Sequence, residues 1–323
     1  MRPDLAALIA AALGRPVAAD ERIAVATSGG PDSLALLSLA DAAFPARVTA
    51  LTVDHRLRSE AAAEAASVAA QCAARGLPHV TLVREGGDFT SNIQARARAA
   101  RYALMGDWCA AHGYGLLLTA HHADDQAETL LMRLNRASGS YGLAAIRPAR
   151  RLQPGVMLVR PLLAVRKADL AALAAADAWQ QVDDPTNRDP RHDRTAMRAL
   201  LAATPALDVT ALAASAAHLA ADAEALAWAA DLAWAGRVRE ADGRLLVDAG
   251  GLPAALVQRL LASAVETLAG RPARGSEIAR LAARLGAGAT GTLAGIVARP
   301  GTIWQLSVTR PPQKGGKKPQ NAA

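Results

Sequence analysis

Only two of the 323 residues are cysteine, Cys72 and Cys109, and they form no CxxC pair. Their scarcity argues against a disulfide framework or an all-cysteine metal site and fits a reducing cytoplasm. No run of eighteen uncharged apolar residues occurs, so no membrane-crossing helix is expected. The apolar stretch 5–13 is a poor signal-peptide core, because Asp4 precedes it and Arg2 stands alone as a basic flank. An opening helix is the expectation there. Lysine is nearly absent: Lys167 and three near the end are the whole set, and the other cations are arginine. Walker A, GxxxxGK[ST], is missing too, which removes that phosphate loop from consideration. The most informative absence is local. Residues 129–168 contain no Asp or Glu but eight Lys/Arg, whereas the remainder of the chain has 28 basic and 29 acidic residues. The formal charge of +7 therefore sits in one stretch, as in a surface that neutralises phosphates. A solvated face with scattered arginines is the other reading.

What is present is a large apolar fraction, 52%, enough for a substantial core. The length points to two domains. Apolar, β-branched runs at 22–27, 47–53, 79–83, 115–119 and 156–159 alternate with helical patterns at 33–43, 59–75, 92–112 and 124–135. Near-continuous apolar strands separated by such helices predict right-handed crossovers: an α/β fold, a doubly wound parallel sheet. In such sheets ligands sit beyond the carboxyl ends of the strands. The polar segments 28–33, 54–58 and 121–128 all follow strands, which places them around one crevice. From 204 the texture becomes Ala/Leu-rich and helical, with a possible strand at 244–247 and extended stretches at 291–299 and 302–309. This predicts a catalytic domain over 1–203, a mainly helical second domain with a terminal hairpin over 204–310, and a disordered tail over 311–323. Trp228 and Trp234 read as helix core, with stacking on nucleotides as the alternative.

The first strand runs into Ser28-Gly29-Gly30-Pro31-Asp32-Ser33 and then a helix. Glycines at a strand-to-helix turn let backbone N–H groups close on an anion at the positive end of the helix. SGGPDS resembles the SGGxDS loop of the ATP pyrophosphatase superfamily. More segments are similar to one branch of it, the tRNA(Ile)-lysidine synthetases. Residues 53–58, VDHRLR, resemble VDHGLR, with Arg56 in place of Gly. Asn92, Arg98, Arg101 and Tyr102 match a helix of that family, with Gln94 where Glu is common. Residues 119–129, THE run TAHHADDQAET, match its signature; 136–143 resemble RGSGxxGL with Ala137 for Gly; 160–163 resemble RPLL and 184–187 DPxN. Arg194 and Arg198 match the arginines of RNxxR, with Thr195 for Asn. The resemblance covers about residues 20–200.

The resemblance implies an adenine-nucleotide α-hydrolase-like fold and conversion of the wobble cytidine of an isoleucine tRNA into lysidine. The implied substrates are ATP, free L-lysine and tRNA(Ile) with its wobble cytidine unmodified. Residues 28–33 would bind the ATP pyrophosphate, with Asp32 as a Mg²⁺ ligand, direct or through water. Arg101 is the candidate for the activated phosphate, and His121 lies near the reacting centre in the resemblance. Asp125 and Glu128 share a helical face and would recognise lysine. Two plainer readings of 121–128 stay open: an acidic first helical turn with Asp124 as N-cap, or a metal site. Arg133, Arg136, Arg147, Arg150, Arg151, Arg194 and Arg198 are the candidates for tRNA phosphates. Three rivals share parts of this pattern. A tRNA thiolase would need more cysteines, a glutamine-dependent synthetase would need an ammonia source, and a non-catalytic RNA-binding module would not need the intact loop.

Overall fold

The computed structural model describes residues 2–56, 61–85, 93–181 and 193–309. The DPxN segment at 184–187 and the tail at 311–323 lie outside the described residues. The described chain divides into two compact units, Met1–Arg136 with Leu143–His218, and Ala137–Gly142 with Leu219 onward. This division falls after His218, inside a long helix, fifteen residues past the change in sequence texture.

The first unit opens with α1 (Leu5–Leu13), started by the Asp4 carboxylate accepting the Ala7 N–H at 3.0 Å and stopped by Gly14 at φ 69°. Five strands then form a parallel sheet: β1 (Arg22–Ala26), β2 (Val48–Asp54), β3 (His79–Val83), β4 (Tyr114–Leu118) and β6 (Val156–Val159). The order β3-β2-β1-β4-β6 is extended by β5 (Ala149–Gln153), which pairs antiparallel with β6 at the edge. Strand β5 escapes a reading by apolar alternation because Arg150 and Arg151 are both exposed on it. Charge on an edge strand discourages further pairing.

Alternation along each buried strand divides the core in two. Ile23 and Val25 of β1, with Leu116 and Leu118 of β4, pack against α2 (Pro31–Ala43) and α7 (Lys167–Ala176). Ala24 and Leu117 face the other way, toward Met105 and Cys109 of α4 (Ile93–Ala111). With α3 (Ala61–Ala73) contributing Val68 and Cys72 to the first layer, the sheet is covered on both faces. The chain order reverses between β1 and β4, so the crevice lies beyond their carboxyl ends. The loop after β1 and the segment after β4 both open there. The latter leads into α5 (Ala123–Leu134), which packs on α8 (Asp193–Ala203) and on Val209 and Ala213 at the start of α9 (Val209–Arg237).

The second unit combines helices with more sheet than the sequence pattern implies. Strands β7 (Val238–Ala241), β8 (Arg244–Val247), β9 (Gly291–Leu293), β10 (Ile296–Arg299) and β11 (Trp304–Val308) form one antiparallel sheet, ordered β7-β8-β11-β10-β9. Pairing of β8 with β11 joins segments about sixty residues apart, Trp304 opposite Val247. Helices α10 (Ala254–Ala269) and α11 (Gly275–Gly286) bury Leu260, Leu261, Ile278 and Leu281 with Leu306 of this sheet. Trp234 packs against that core, whereas Trp228 is 67% exposed. The core reading therefore holds for Trp234 and not for Trp228.

Both described glycine replacements in the family-like segments fall on left-handed backbone. Arg56 has φ 51° and Ala137 has φ 51°. An L side chain there costs about 1–2 kcal/mol relative to the right-handed region. The surrounding structure imposes the turn whether or not glycine supplies it.

Candidate active site

Gly29, at φ 83°, turns the chain so that Gly30 is the N-cap of α2 and Pro31 opens its first turn. Pro31 has no N–H to leave unsatisfied, and its ring is set for a helix start. No side chain caps this end, which leaves its N–H groups and positive pole facing the crevice. Ser33 is buried and braces the loop rather than presenting its hydroxyl: its Oγ accepts the Ser28 N–H at 3.1 Å and donates to the Gly30 carbonyl at 2.9 Å. A Cβ on Gly30 would meet only Ser28 Oγ, at 3.7 Å. The space before Gly30 is thus open, and it is a ligand rather than the protein that would demand glycine.

Asp32 sits in the first turn of α2. Its Oδ1 is buried with no hydrogen-bond partner, and its Oδ2 lies 3.5 Å from His122 Nε2. A carboxylate oxygen deprived of both water and donors is poorly satisfied unless a cation reaches it. One such carboxylate, together with water and phosphate oxygens, suits Mg²⁺. Among the described residues no group of three or more His, Cys, Asp or Glu has the geometry to hold a metal by itself.

His122, not Asp124, is the N-cap of α5. Its Nδ1 accepts the Asp125 N–H at 3.3 Å, and Asp125 Oδ2 accepts the His122 N–H at 3.1 Å. This reciprocal pair is a capping box with histidine in the place usual for Ser or Thr. The neutral ring then carries its proton on Nε2, toward Asp32. Burial opposes charge on His122, but Asp32, Asp125 and Asp124 outweigh it and raise its pKa. Asp124 points elsewhere: its Oδ2 accepts the Lys167 N–H at 2.8 Å and lies 3.3 Å from Arg166 Nε, capping α7. Asp124 Oδ2 also lies 3.7 Å from His122 Nδ1, but its hydrogen bonds go to the start of α7.

One turn along α5, Glu128 is 1% exposed. Its Oε1 accepts from Arg198 Nε at 2.9 Å, while Oε2 is buried without a hydrogen bond. Burial raises its pKa, and Asp125 adds to the rise against Arg198 and Arg194. Arg194 reaches between the two acids loosely, 3.8 Å from Asp125 Oδ1 and 3.8 Å from Glu128 Oε2. Helix α8 thus turns both arginines of the RNxxR-like segment onto the acids of α5. Their guanidinium groups are partners of carboxylates here, and both side chains remain about 40% exposed.

Helix α4 supplies the opposite wall. Arg98 donates to His121 Nε2 at 3.1 Å, so the ring proton is on Nδ1, which bonds Thr119 Oγ1 at 3.0 Å. Arg101 Nε donates to His55 Nε2 at 3.3 Å. His55 lies in the VDHRLR segment and was not among the candidate site residues; its signal was its place directly after a strand. Burial, with Arg98, Arg160 and Arg194, pulls His121 down to about 3 despite Asp125. Burial, then Arg101 and Arg84, pulls His55 to about 4. Both rings are neutral at ordinary pH. The unfolded chain protonates them near 6.5 while the native chain does not, so stability is lost as pH falls from about 6.5 toward 3. His121→Asn should make the fall in urea midpoint between pH 7 and pH 4 shallower than in the parent. Parallel curves would mean that His121 titrates as in a free peptide.

Of the basic stretch, Arg133 and Arg136 are exposed at the end of α5 and just beyond it, and Arg150 and Arg151 are exposed on β5. Arg147 is half-buried, and its carbonyl accepts from Arg160 at 2.8 Å. Successive strand residues face opposite ways, so Arg150 and Arg151 do not share a face. Both cysteines are buried, and burial pushes Cys72 to about 11 and Cys109 to about 12. Thiols held protonated in this way are inert as nucleophiles or sulfur carriers.

Residues 3–204 match the family model described as the PP-loop domain. The chain is 45% identical over 264 residues to the tRNA(Ile)-lysidine synthase of Novosphingobium aromaticivorans, covering 80% of each chain. It is 42% identical over 264 residues to the tRNA(Ile)-lysidine synthase of Zymomonas mobilis, again covering 80% of each. Among solved structures, the U34-tRNA thiolase NcsA from Methanococcus maripaludis aligns with a TM-score of 0.55 at 15% identity, over 66% of this chain and 76% of that one. That likeness is one of fold. With the pyrophosphatase-type loop at the sheet's switch point and relatives matched over four-fifths of their length, the chain belongs to the tRNA(Ile)-lysidine synthase family of PP-loop proteins.

Proposed function

We propose that this chain uses ATP to join free L-lysine to C2 of the unmodified wobble cytidine of tRNA(Ile), through an adenylated cytidine. The observation that supports the reading is a pair of acids on α5, the helix that follows β4, beside the SGGPDS loop that follows β1. Asp125 and Glu128 lie one turn apart on α5; Arg198 holds Glu128 Oε1, while Glu128 Oε2 is buried without a hydrogen bond and Arg194 sits loosely, 3.8 Å from each acid. An ammonium entering there would form the short charge-assisted bonds that Arg194 does not.

In the first step the cytosine C2 oxygen attacks the α-phosphorus of ATP, and pyrophosphate leaves. The α2 N-terminus and the Gly29–Gly30 turn bind the departing pyrophosphate, and Arg101 faces the activated phosphate. Mg²⁺, held by Asp32 with phosphate and water oxygens, would disperse charge on those phosphates. In the second step the lysine amine attacks C2 and AMP departs with the former C2 oxygen. The amine must shed a proton, and Asp125 or Glu128 is assigned to take it. Arg194 and Arg198 hold these acids in place. Arg133, Arg136, Arg147, Arg150 and Arg151 are assigned to tRNA phosphates, and the second unit to positioning the tRNA. Two inert, buried thiols favour this chemistry over thiolation and fit a cytoplasmic enzyme.

The deciding experiment supplies an unmodified tRNA(Ile) transcript and labelled lysine, with and without ATP. ATP-dependent incorporation at the wobble cytidine is expected. ATP consumption with tRNA but no lysine incorporation under any condition would overturn the reading.

A further inference from the structure

Arg98, Arg150 and Arg160 converge on Tyr102. The guanidinium carbons of Arg98 and Arg150 lie 5.2 and 5.3 Å from the Tyr102 ring centroid, and Arg98 also donates to the Tyr102 hydroxyl at 3.2 Å. Arg160 is 6% exposed, and its Nε is buried with no hydrogen-bond partner. Among the described residues none of the three arginines is in an ion pair with a carboxylate; their bonds go to carbonyls, a hydroxyl and the His121 ring. Burial lowers the pKa of Arg160, Tyr102 works against that, and Arg150 and Arg98 lower it further. Three guanidinium groups around one ring, one of them desolvated and incompletely bonded, are costly unless an anion completes the set.

We propose that these three arginines and Tyr102 form a receptor for a single phosphodiester of the RNA substrate, next to the nucleotide being modified. A guanidinium fork matches two phosphate oxygens at once, and a half-exposed tyrosine ring offers a face for the adjoining base. Arg98 also bonds His121, so the receptor reaches the reacting centre. An occupant that draws Arg98 toward itself leaves the Nε2 lone pair of His121 free beside the activated cytidine. The inference rests on the proposed RNA substrate and names which phosphate contact matters most.

The test uses the full chain and an anticodon stem-loop of tRNA(Ile) in which single phosphates flanking the wobble cytidine are replaced by neutral methylphosphonates. In the parent, one replacement should weaken binding by at least about 10-fold. In Arg150→Gln binding should be weaker with the native stem-loop, and the same replacement should cost little more. The salt slope of log K should fall by about 0.7–0.9 for the one lost contact. Arg160→Lys keeps the charge and removes the fork, and should reproduce the loss of coupling in part. The KM for ATP should stay within about twofold of the parent. A raised KM for ATP with an unchanged RNA salt slope would show that the anion is a nucleotide phosphate and overturn the proposal. Additive losses from Arg150→Gln and every methylphosphonate would also overturn it. If the parent bound and modified no RNA at all, the functional reading itself would fail, an outcome distinct from either of these.

Discussion

Replacing Asp32 by Ala is expected to lower ATP-dependent pyrophosphate release on tRNA by at least about 100-fold, some 2.7 kcal/mol of lost transition-state stabilisation. Three features set the size of the effect. Asp32 presents a buried oxygen with no donor, it stands in the first turn of the helix that faces the phosphates, and its other oxygen meets His122. Removing it takes away the proposed Mg²⁺ ligand and the anion that His122 faces. The fold should survive, because Asp32 caps nothing and Ser33 braces the loop without it. Mg²⁺ titration adds a readout independent of turnover: the variant should need a higher concentration for the same quenching of a fluorescent ATP analogue. Near-parental pyrophosphate release would reduce SGGPDS to a helix entry.

Glu128→Gln and Asp125→Asn should separate the two half-reactions. Lysine-independent pyrophosphate release should hold within about 10-fold, while lysidine formation falls by on the order of 100-fold, the usual scale for a lost acid–base group. Glu128 is the harsher site. It is buried and bonded to Arg198, so the amide leaves a cation without its anion, which costs stability as well as activity. Asp125→Asn retains an oxygen for the His122 N–H and is the cleaner probe of lysine binding. A thermal melt run beside the assay keeps the two effects apart. Equal loss in both half-reactions would assign the acids to the phosphate step. No loss in either would leave Asp125 as part of the acidic first turn of α5 and Glu128 as a buried partner of Arg198.

The sequence by itself determined the parallel sheet and the place of its crevice. Strand and helix periods are local, and the polar chemistry of 28–33 and 121–128 follows β1 and β4, the pair at which the order reverses. Loop, acids and basic stretch were each readable because short motifs encode their own turn geometry. What paired with them was not readable. His122 caps α5 and faces Asp32, ninety residues earlier; Asp124 caps a helix that begins forty-three residues later; Arg194 and Arg198 reach acids about seventy residues before them. The RNxxR resemblance grouped those arginines with the RNA phosphates, whereas packing of α8 on α5 brings their guanidinium groups onto Asp125 and Glu128. The five-stranded sheet of the second unit has the same origin, since β8 meets β11 only after two helices have packed between them in sequence. Local periodicity reports which face of an element is buried. Which partner buries it is decided by contacts whose sequence separation carries no local signal, so the unsatisfied oxygens of Asp32 and Glu128 and the cluster around Tyr102 emerge only from the tertiary structure.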